Sequence, residues 1–148
     1  PNGKKIVWRA WYPDSDEDRA KWINNLKNNY IESVPLDIYI ADRDGSNQKR
    51  LTNNGATNWS PSWHPSGKYI VFSSNMDNWI EELNSYGPNF ELYMMEISSG
   101  DLYRLTYNKT FDSFPVFSSD GRKLVYSSNR NANNPRQTNI FISDIKVN

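Results

Sequence analysis

Few residues of this chain could perform acid–base or nucleophilic chemistry. Its single histidine, His64, falls in a predicted turn, and an isolated imidazole lacks the second group that a catalytic dyad or triad requires. No Gly-x-Ser-x-Gly sequence occurs, so the nucleophile elbow of the α/β-hydrolases is missing. Asp112 could approach Glu32 or Asp37 to form a carboxylate pair, but acidic residues in loops are usually solvated. The sequence therefore predicts a protein that is not an enzyme.

The acidic residues do not match a known metal loop. Asp14, Asp16 and Asp18 occupy the first three ligand positions of an EF-hand pattern. That pattern also requires Gly at its sixth position and Glu at its twelfth, where this chain has Arg19 and Asn25. The chain contains no cysteine, which excludes disulfides, thiolate nucleophiles and cysteine metal sites. We predict no cofactor and no bound metal.

Charge and hydropathy limit the classes of partner that this chain is expected to bind. The 17 Lys and Arg residues balance 17 Asp and Glu residues, whereas binding to nucleic acid needs a basic surface that displaces counterions. The apolar runs have the length of strands, too short to span a membrane. Six Trp and nine Tyr residues favour amphipathic interfaces. These features predict a protein or peptide partner, no nucleic acid and no membrane insertion.

The elements that position any site come from an internal repeat. Residues 36–75 recur without a gap as residues 90–129. Tyr39 matches Tyr93 and Gly67 matches Gly121 in this alignment. A fixed period of this size is typical of a solenoid, a propeller or an array. The apolar residues alternate or cluster in short β-branched and aromatic runs, which predicts strands rather than helices.

Each repeat is predicted to contain four strands, named A to D in repeat order. The chain holds B, C and D, then A to D, then A, B and C, with a glycine turn between A and B. Four-stranded units too small to bury their own faces are stacked radially in a β-propeller. The predicted strands are A at 59–63 and 113–117, B at 4–8, 68–72 and 122–126, C at 37–42, 91–96 and 139–144, and D at 48–52 and 102–106.

Three motifs of the repeat resemble the TolB-like propeller repeat, also called WD40-like or PD40. They are Asp44-Gly45-Ser46-Asn47 with Arg50-Leu51-Thr52, the segment 60–68 that ends in Pro65-Ser66-Gly67-Lys68, and Phe72-Ser73-Ser74-Asn75. The second copy resembles the repeat equally well. The departures are Ser66 and Asn2, where the family usually has Asp, and His64, where it usually has Ser. These departures change turn residues and leave the architecture unaffected.

The resemblance implies an all-β fold of four-stranded antiparallel blades, six in a complete ring, of which about three are present. The expected organisation is a partial blade 1–52 with a helical insertion at 14–34, a full blade 57–106 with an insertion at 76–89, and a partial blade 111–148. The chain resembles the C-terminal half of an exported, periplasmic bacterial propeller. Either the missing half of the propeller or a second copy of this chain in a homodimer would close the ring.

Three insertions follow the B strands, at residues 10–34, 76–89 and 130–138. In an up-and-down blade the B-to-C and D-to-A connections emerge at the same end. The insertions should therefore lie beside the loops 53–58 and 107–112, and we call this end the decorated face. Insertions in repeat proteins often gather on the binding face.

The first and second insertions are predicted to contain helix. In the first, Ser15 is the expected N-cap and three acidic residues follow it. Trp22, Leu26 and Tyr30 form a stripe expected to pack on the propeller. In the second, Trp79, Ile80 and Leu83 predict a short helical turn that ends before Gly87-Pro88. The third insertion is polar and is predicted to be a mobile loop.

The aromatic residues divide into two classes. Trp8, Phe72 and Tyr126 share one B-strand position, which predicts packing between blades. Others have no aromatic counterpart in the repeat, and loops on a rigid scaffold often carry binding residues. The predicted partner-binding residues are Trp11, Tyr12, Trp22, Asn58, Trp59, Trp79 and Asp112, the Asn58 and Asp112 positions being equivalent at the mouth of the central channel.

The function predicted from these features is a non-catalytic scaffold that presents its decorated face to a protein or peptide. One alternative is the propeller part of a larger enzyme, either the gate of a serine peptidase or a sugar-degrading propeller with its catalytic residues outside this chain. A second alternative is a purely structural set of blades.

Overall fold

In the computed structural model, three antiparallel sheets form successive blades along the chain, and a two-stranded hairpin forms a fourth, smaller sheet. The structure describes residues 2–30, 34–134 and 137–147. Blade 1 contains β1 (Lys5–Ala10), β2 (Asp37–Asp42) and β3 (Lys49–Arg50); blade 2 contains β4 (Asn58–Trp63), β5 (Tyr69–Ser74), β8 (Glu91–Glu96) and β9 (Leu102–Arg104); blade 3 contains β10 (Asp112–Phe117), β11 (Lys123–Ser128) and β12 (Asn139–Asp144).

The central sheet has the strand order β4-β5-β8-β9, which is the predicted order A to D. The register is the same in every copy: Trp8 pairs with Tyr39, Phe72 with Tyr93, and Tyr126 with Phe141. Because one repeat sequence gives one register, its side chains alternate identically between the two faces of each blade. The predicted four-stranded antiparallel blade is confirmed.

Glycine is required at the two A-to-B turns. Gly67 and Gly121 both adopt φ 72°, a conformation that residues with a Cβ rarely accept. A Cβ at Gly121 would also lie 2.6 Å from Nε2 of His64. The His64 ring in turn packs edge-on against Phe117, with 4.6 Å between ring centroids. The predicted turn residue His64 thus also contributes to the contact between blades 2 and 3.

The core lies between the blades. Ile38 and Ile40 of blade 1 pack against Phe72 and its neighbours on blade 2. Val71 points to the other face of the same strand and belongs to the cluster that includes Tyr126 of blade 3. The predicted packing of Phe72 and Tyr126 between blades is therefore confirmed. Blade 2 is stabilised by burying both of its faces against neighbours.

Trp8 holds the equivalent position on blade 1 but faces away from blade 2. Its neighbour Val7 packs into the cluster shared with blade 2, so alternation turns Trp8 to the opposite face. There it stacks on Tyr39, with 5.8 Å between ring centroids. We call the surface formed by Ile6, Trp8, Tyr12 and Tyr39 the open face of blade 1.

The A strands carry β-bulges that the sequence analysis did not predict. Pairing of β4 with β5 shifts between Trp59 and Ser62, and pairing of β10 with β11 shifts between Ser113 and Val116. Ser60 and Phe114 have φ values of 50° and 56° at these points. A bulge increases the local twist and redirects side chains. The two bulged strands, β4 and β10, also pack against each other across the blade interface.

The first insertion forms helix α1 (Asp16–Lys27), and Ser15 caps it by accepting a hydrogen bond from the Asp18 amide. The expected stripe does not dock: Leu26 is 48% exposed and Tyr30 57%. Tyr30 lies beyond the helix, because Asn29 adopts a left-handed φ of 56°, a conformation that commonly follows a helix C-terminus. No residue of α1 is buried. The prediction that the whole stripe packs on the propeller was wrong.

The second insertion is mainly a hairpin. Strands β6 (Trp79–Ile80) and β7 (Ser85–Tyr86) pair, and a 3-10 turn at Glu81–Leu83 joins them. Trp79 and Ile80 are therefore strand residues, which corrects the predicted helical turn; only the Leu83 end of it is helical. A single turn is too short to be stable as an isolated helix, whereas Trp79 packs on Tyr86 across the hairpin.

The prediction for the third insertion falls partly on residues 135–136, outside those that the structure describes. Among the described residues, no helix has both the length and the hydropathy needed to cross a membrane.

Candidate binding face

Two predicted binding residues, Trp11 and Trp22, contact each other on the decorated face. Their ring centroids lie 5.2 Å apart, and both side chains are half-buried. They line a cavity of about 170 Å³ together with Asp18, Val34 and Pro35. This cavity fits a side chain rather than a whole ligand, because ligand pockets usually have about 300–1,000 Å³.

Tyr12 lies next to this pair but belongs to the open face of blade 1. It is 51% exposed and packs edge-on against Tyr39, with 5.1 Å between ring centroids. Burial raises the pKa of Tyr39 above its usual value, so this phenol stays neutral at physiological pH. Tyr12 thus extends an aromatic surface already formed by Trp8 and Tyr39.

Trp59 is positioned by an arginine that the sequence analysis missed. The guanidinium carbon of Arg9 lies 3.7 Å from the Trp59 ring centroid, within the range of a cation–π contact. Trp59 remains 36% exposed, and its carbonyl accepts a hydrogen bond from Ser73 Oγ at 3.2 Å. Partial burial lowers the pKa of Arg9 from its ordinary value.

Trp79 projects from the hairpin of the second insertion and is 46% exposed. Its Nε1 donates to Glu81 Oε2 at 2.8 Å. The hairpin is tied to the blade by the Tyr86 hydroxyl, which donates to the Asn54 carbonyl at 2.9 Å, and by Asn75 Nδ2, which donates to the Gly87 carbonyl at 2.9 Å. This exposed indole is therefore held on an anchored element.

Asn58 has no exposed surface, so it supports the face from below rather than contacting a partner. Its Nδ2 donates to the Leu36 carbonyl at 2.8 Å and to Asn54 Oδ1 at 2.9 Å. Asn54 Nδ2 also contacts Met76 Sδ at 3.6 Å. These bonds tie the loop before β4 to blade 1 and to the second insertion.

Asp112 occupies the equivalent position in blade 3 and is also fully buried. Its Oδ2 accepts from Asn108 Nδ2 at 2.7 Å and from the guanidinium of Arg130. Its Oδ1 has no hydrogen-bond partner among the described residues. A carboxylate cannot donate to the Phe90 carbonyl, whereas Asn58 donates to the equivalent carbonyl of Leu36.

The two copies of the repeat therefore differ at two positions together. Blade 2 has Asn58 with Met76, both neutral, and blade 3 has Asp112 with Arg130, which carry opposite charges. Position 58 corresponds to position 112 in the repeat, and position 76 to position 130. In blade 3 the negative charge of Asp112 is balanced by the positive charge of Arg130. Arg130 could have been found from the sequence, because it stands where the other copy of the repeat has Met76.

A further buried carboxylate, Glu91, connects the second insertion to blade 2. Arg104 contacts Glu91 Oε1 at 3.3 Å and Asp77 Oδ2 at 2.8 Å, and the Tyr93 hydroxyl donates to the same Asp77 oxygen at 2.8 Å. Burial raises the pKa of Tyr93. The Asn108 amide donates to Glu91 at 2.6 Å, so this network continues to the loop of Asp112.

The expected carboxylate pair is not seen in the described residues. Asp37 pairs with Arg50 and Thr52, Asp112 pairs with Arg130, and Glu32 lies outside the residues that the structure describes. Within residues 2–30, 34–134 and 137–147, no three His, Asp or Glu side chains approach closely enough to hold a metal ion.

No family model matches the chain. It is similar to the Tol-Pal system protein TolB of Francisella tularensis subsp. mediasiatica, with 32% identity over 114 residues, 75% of this chain and 23% of that protein. The chain thus spans about a quarter of the length of that relative. It is also 23% identical over 128 residues to dipeptidyl-peptidase 5 of Porphyromonas endodontalis, covering 86% of this chain and 15% of that protein.

A solved structure provisionally assigned as TolB from Agrobacterium tumefaciens superposes with a TM-score of 0.58 at 25% identity. The match covers 74% of this chain and 34% of that chain. It therefore agrees with the sequence comparison on the blade architecture.

Proposed function

Since this chain consists of TolB-like β-propeller blades, we propose that it is a non-catalytic scaffold whose decorated face binds a protein or peptide in the bacterial cell envelope. The observation that carries the proposal is a set of exposed aromatic side chains held in place by neighbouring groups. Trp59 lies against Arg9, and Trp79 is hydrogen-bonded on an anchored hairpin. Rigid aromatic side chains bind at low entropic cost and dominate many interfaces.

The predicted site residues take two roles in this proposal. Trp59 and Trp79 contact the partner directly, and the half-buried pair of Trp11 and Trp22 supplies an adjoining surface. Tyr12 belongs to the open face of blade 1 and lies at the edge of this site. Asn58 and Asp112 fix the loops at the channel mouth and do not touch the partner, because neither has exposed surface. The envelope location rests on the similarity to Tol-Pal system proteins.

Replacing Trp59 and Trp79 together with Ala should abolish capture of the partner by the immobilised chain. The circular dichroism spectrum should remain unchanged, since both side chains are exposed by more than a third. The capture is measured from an envelope extract and quantified by mass spectrometry. Tyr103→Ala is the matched control, because Tyr103 is also 46% exposed but lies on the outer strand β9. Capture by the double variant at the level of this control would contradict the assignment.

We further propose that the two outer faces of the blade set are covered by blades of the same type. Each blade carries a stacked aromatic pair on one face: Trp8 with Tyr39 at 5.8 Å, Phe72 with Tyr93 at 6.1 Å, and Tyr126 with Phe141 at 5.9 Å. The last two pairs are covered by the preceding blade. The first pair has the same geometry on the open face of blade 1.

The far side of blade 3 offers the complementary surface. Ile140 and Ile142 are 68% and 64% exposed. Their equivalents on blade 1, Ile38 and Ile40, are 0% and 6% exposed because blade 2 covers them. An exposed apolar sheet face of this kind marks an interaction surface. We call it the open face of blade 3.

The purified chain should associate through its two open faces. The mass measured by light scattering after gel filtration should be about twice 17.3 kDa. Ile140→Asp with Ile142→Asp should reduce the mass to that of a monomer, because it places charges in the apolar contact. Ile23→Asp, at a 44% exposed position on α1, should have no effect. If the unmodified chain is a monomer, self-association is contradicted. The two open faces would then be covered by further blades of a longer chain.

A second candidate function is the propeller part of a serine peptidase. The similarity to dipeptidyl-peptidase 5 favours it. In that case the catalytic residues lie outside this chain. A gene that continues past Asn148 into a hydrolase sequence would support the second candidate, and one that does not would favour the scaffold.

A further inference from the structure

Arg9 and Trp59 form an exception within the repeat, at the contact of blades 1 and 2 on the decorated face. Arg9 is equivalent to Ser73, and Trp59 is equivalent to Ser113. Between blades 2 and 3 the two equivalent residues, Ser73 and Ser113, are buried. Their Oγ atoms share a hydrogen bond of 2.8 Å. Between blades 1 and 2 this position holds an exposed cation and an exposed indole instead.

The local backbone sets the direction in which the Trp59 side chain leaves its strand. Trp59 precedes the bulge of β4, where Ser60 adopts φ 50°. The Trp59 carbonyl also accepts a hydrogen bond from Ser73 on the neighbouring strand. The Arg9 guanidinium lies on this ring, 3.7 Å from its centroid, so the two side chains position each other.

Arg9 differs from three other arginines at this end of the blades. Arg50, Arg104 and Arg130 each contact a carboxylate. Among residues 2–30, 34–134 and 137–147, no carboxylate or carbonyl oxygen accepts a hydrogen bond from the Arg9 guanidinium. A guanidinium stacked on a ring keeps its N–H groups at its edges, where they can still donate. The charge is thus held in place without an anion.

We propose that Arg9, held flat by Trp59, binds one carboxylate of the peptide partner, either an Asp or Glu side chain or a free C-terminus. This inference rests on the proposed function and specifies the chemistry of the partner. The planar fork of a guanidinium matches a carboxylate in two parallel hydrogen bonds. One positive charge balances one negative charge, and the exposed part of Trp59 contacts the aliphatic atoms next to the carboxylate.

The test uses short peptides and the NMR signals of the Arg9 Nε–H and the Trp59 indole N–H in the 15N-labelled chain. The probes are acetyl-Gly-Asp-Gly-amide and acetyl-Gly-Gly-Gly with a free C-terminus. Acetyl-Gly-Asn-Gly-amide and inorganic phosphate are the comparison probes. We expect both signals to shift saturably with at least one acidic peptide, at an affinity about tenfold or more above that for the Asn peptide. Which acidic peptide binds identifies the source of the carboxylate.

Variants separate the role of Arg9 from net charge. Arg9→Gln should weaken binding of the acidic peptide about tenfold or more, because hydrogen bonds to charged groups are lost. Arg9→Lys should keep part of the affinity, since the charge remains without the planar fork. Arg43→Gln removes an equal charge at another exposed arginine and should leave binding unchanged. If Arg9→Gln is misfolded, the shifts mapped in the unmodified chain still decide the location of the site.

Three results would overturn the inference. They are equal binding of the Asn and Asp peptides, equal losses for Arg9→Gln and Arg43→Gln, and phosphate binding tenfold tighter than either carboxylate. The inference and the proposed function fail separately. If capture needs Trp59 and Trp79 but neither acidic peptide binds, only the carboxylate site is wrong. If an acidic peptide binds and no partner is captured, only the proposed function is wrong.

Discussion

Phe72→Ala is expected to lower the free energy of unfolding by about 3–5 kcal/mol, the usual cost of truncating a buried aromatic residue. Phe72 is 1% exposed and stacks on Tyr93 within the cluster between blades 1 and 2. Its removal leaves a cavity lined by residues of two blades, which cannot close without moving whole sheets. The measurement is urea unfolding followed by circular dichroism.

Trp8→Ala is the matched control, because Trp8 occupies the same position of the repeat. It lies on the open face of blade 1, where it stacks on Tyr39 and has no blade packed over it among the described residues. We expect a loss of at most about 1.5 kcal/mol, the upper range for one aromatic pair. Both variants should be unfolded at a concentration where light scattering shows a monomer. Equal losses would mean that the open face of blade 1 is covered in the monomer as well.

Arg130→Met should cost about 3–5 kcal/mol, because it leaves a buried carboxylate without its cation. Asp112 is 0% exposed, and Arg130 is the cation that contacts it. The guanidinium also lies 5.2 Å from the Tyr126 ring centroid, so part of the cost is lost packing. Chemical unfolding of the purified variant gives the value.

The double variant Asp112→Asn with Arg130→Met should recover most of this loss. It installs the residues that blade 2 has at the same positions, Asn58 and Met76. The new amide can donate to the Phe90 carbonyl as Asn58 donates to Leu36. Arg122→Met, at an exposed arginine of the same blade, should stay within about 0.5 kcal/mol. A double variant as unstable as Arg130→Met alone would show that charge pairing is not the reason for the loss.

Much of the fold could be predicted because its determinants are local and repeated. Alternation in residues 68–72 and 122–126 predicted strands, and Gly67 and Gly121 predicted turns that require a positive φ. The N-cap at Ser15 was also a local signal. The hairpin at Trp79 was missed because a spacing over five residues fits a helical turn as well as a strand with a connecting turn.

The candidate site was only partly predictable, because its contacts join distant segments. Comparison of repeat positions identifies the aromatic residues that have no aromatic counterpart in the other copy, and Trp59 is one of them. Its partner Arg9 was missed, although it too departs from the serine at the equivalent positions. Asn58 and Asp112 are predicted contact residues, yet both are buried, where they hydrogen-bond to the loops beside them.

The sequence by itself determined the alternating B and C strands of each blade and the face to which each of their side chains points, because a strand alternates with a period of two residues. The tertiary structure decided what covers each face. Trp8 and Phe72 follow the same local pattern, but only Phe72 has a blade packed over it. Stacking of blades also brought Arg9 onto Trp59, a contact between strands of different sheets that no local periodicity encodes.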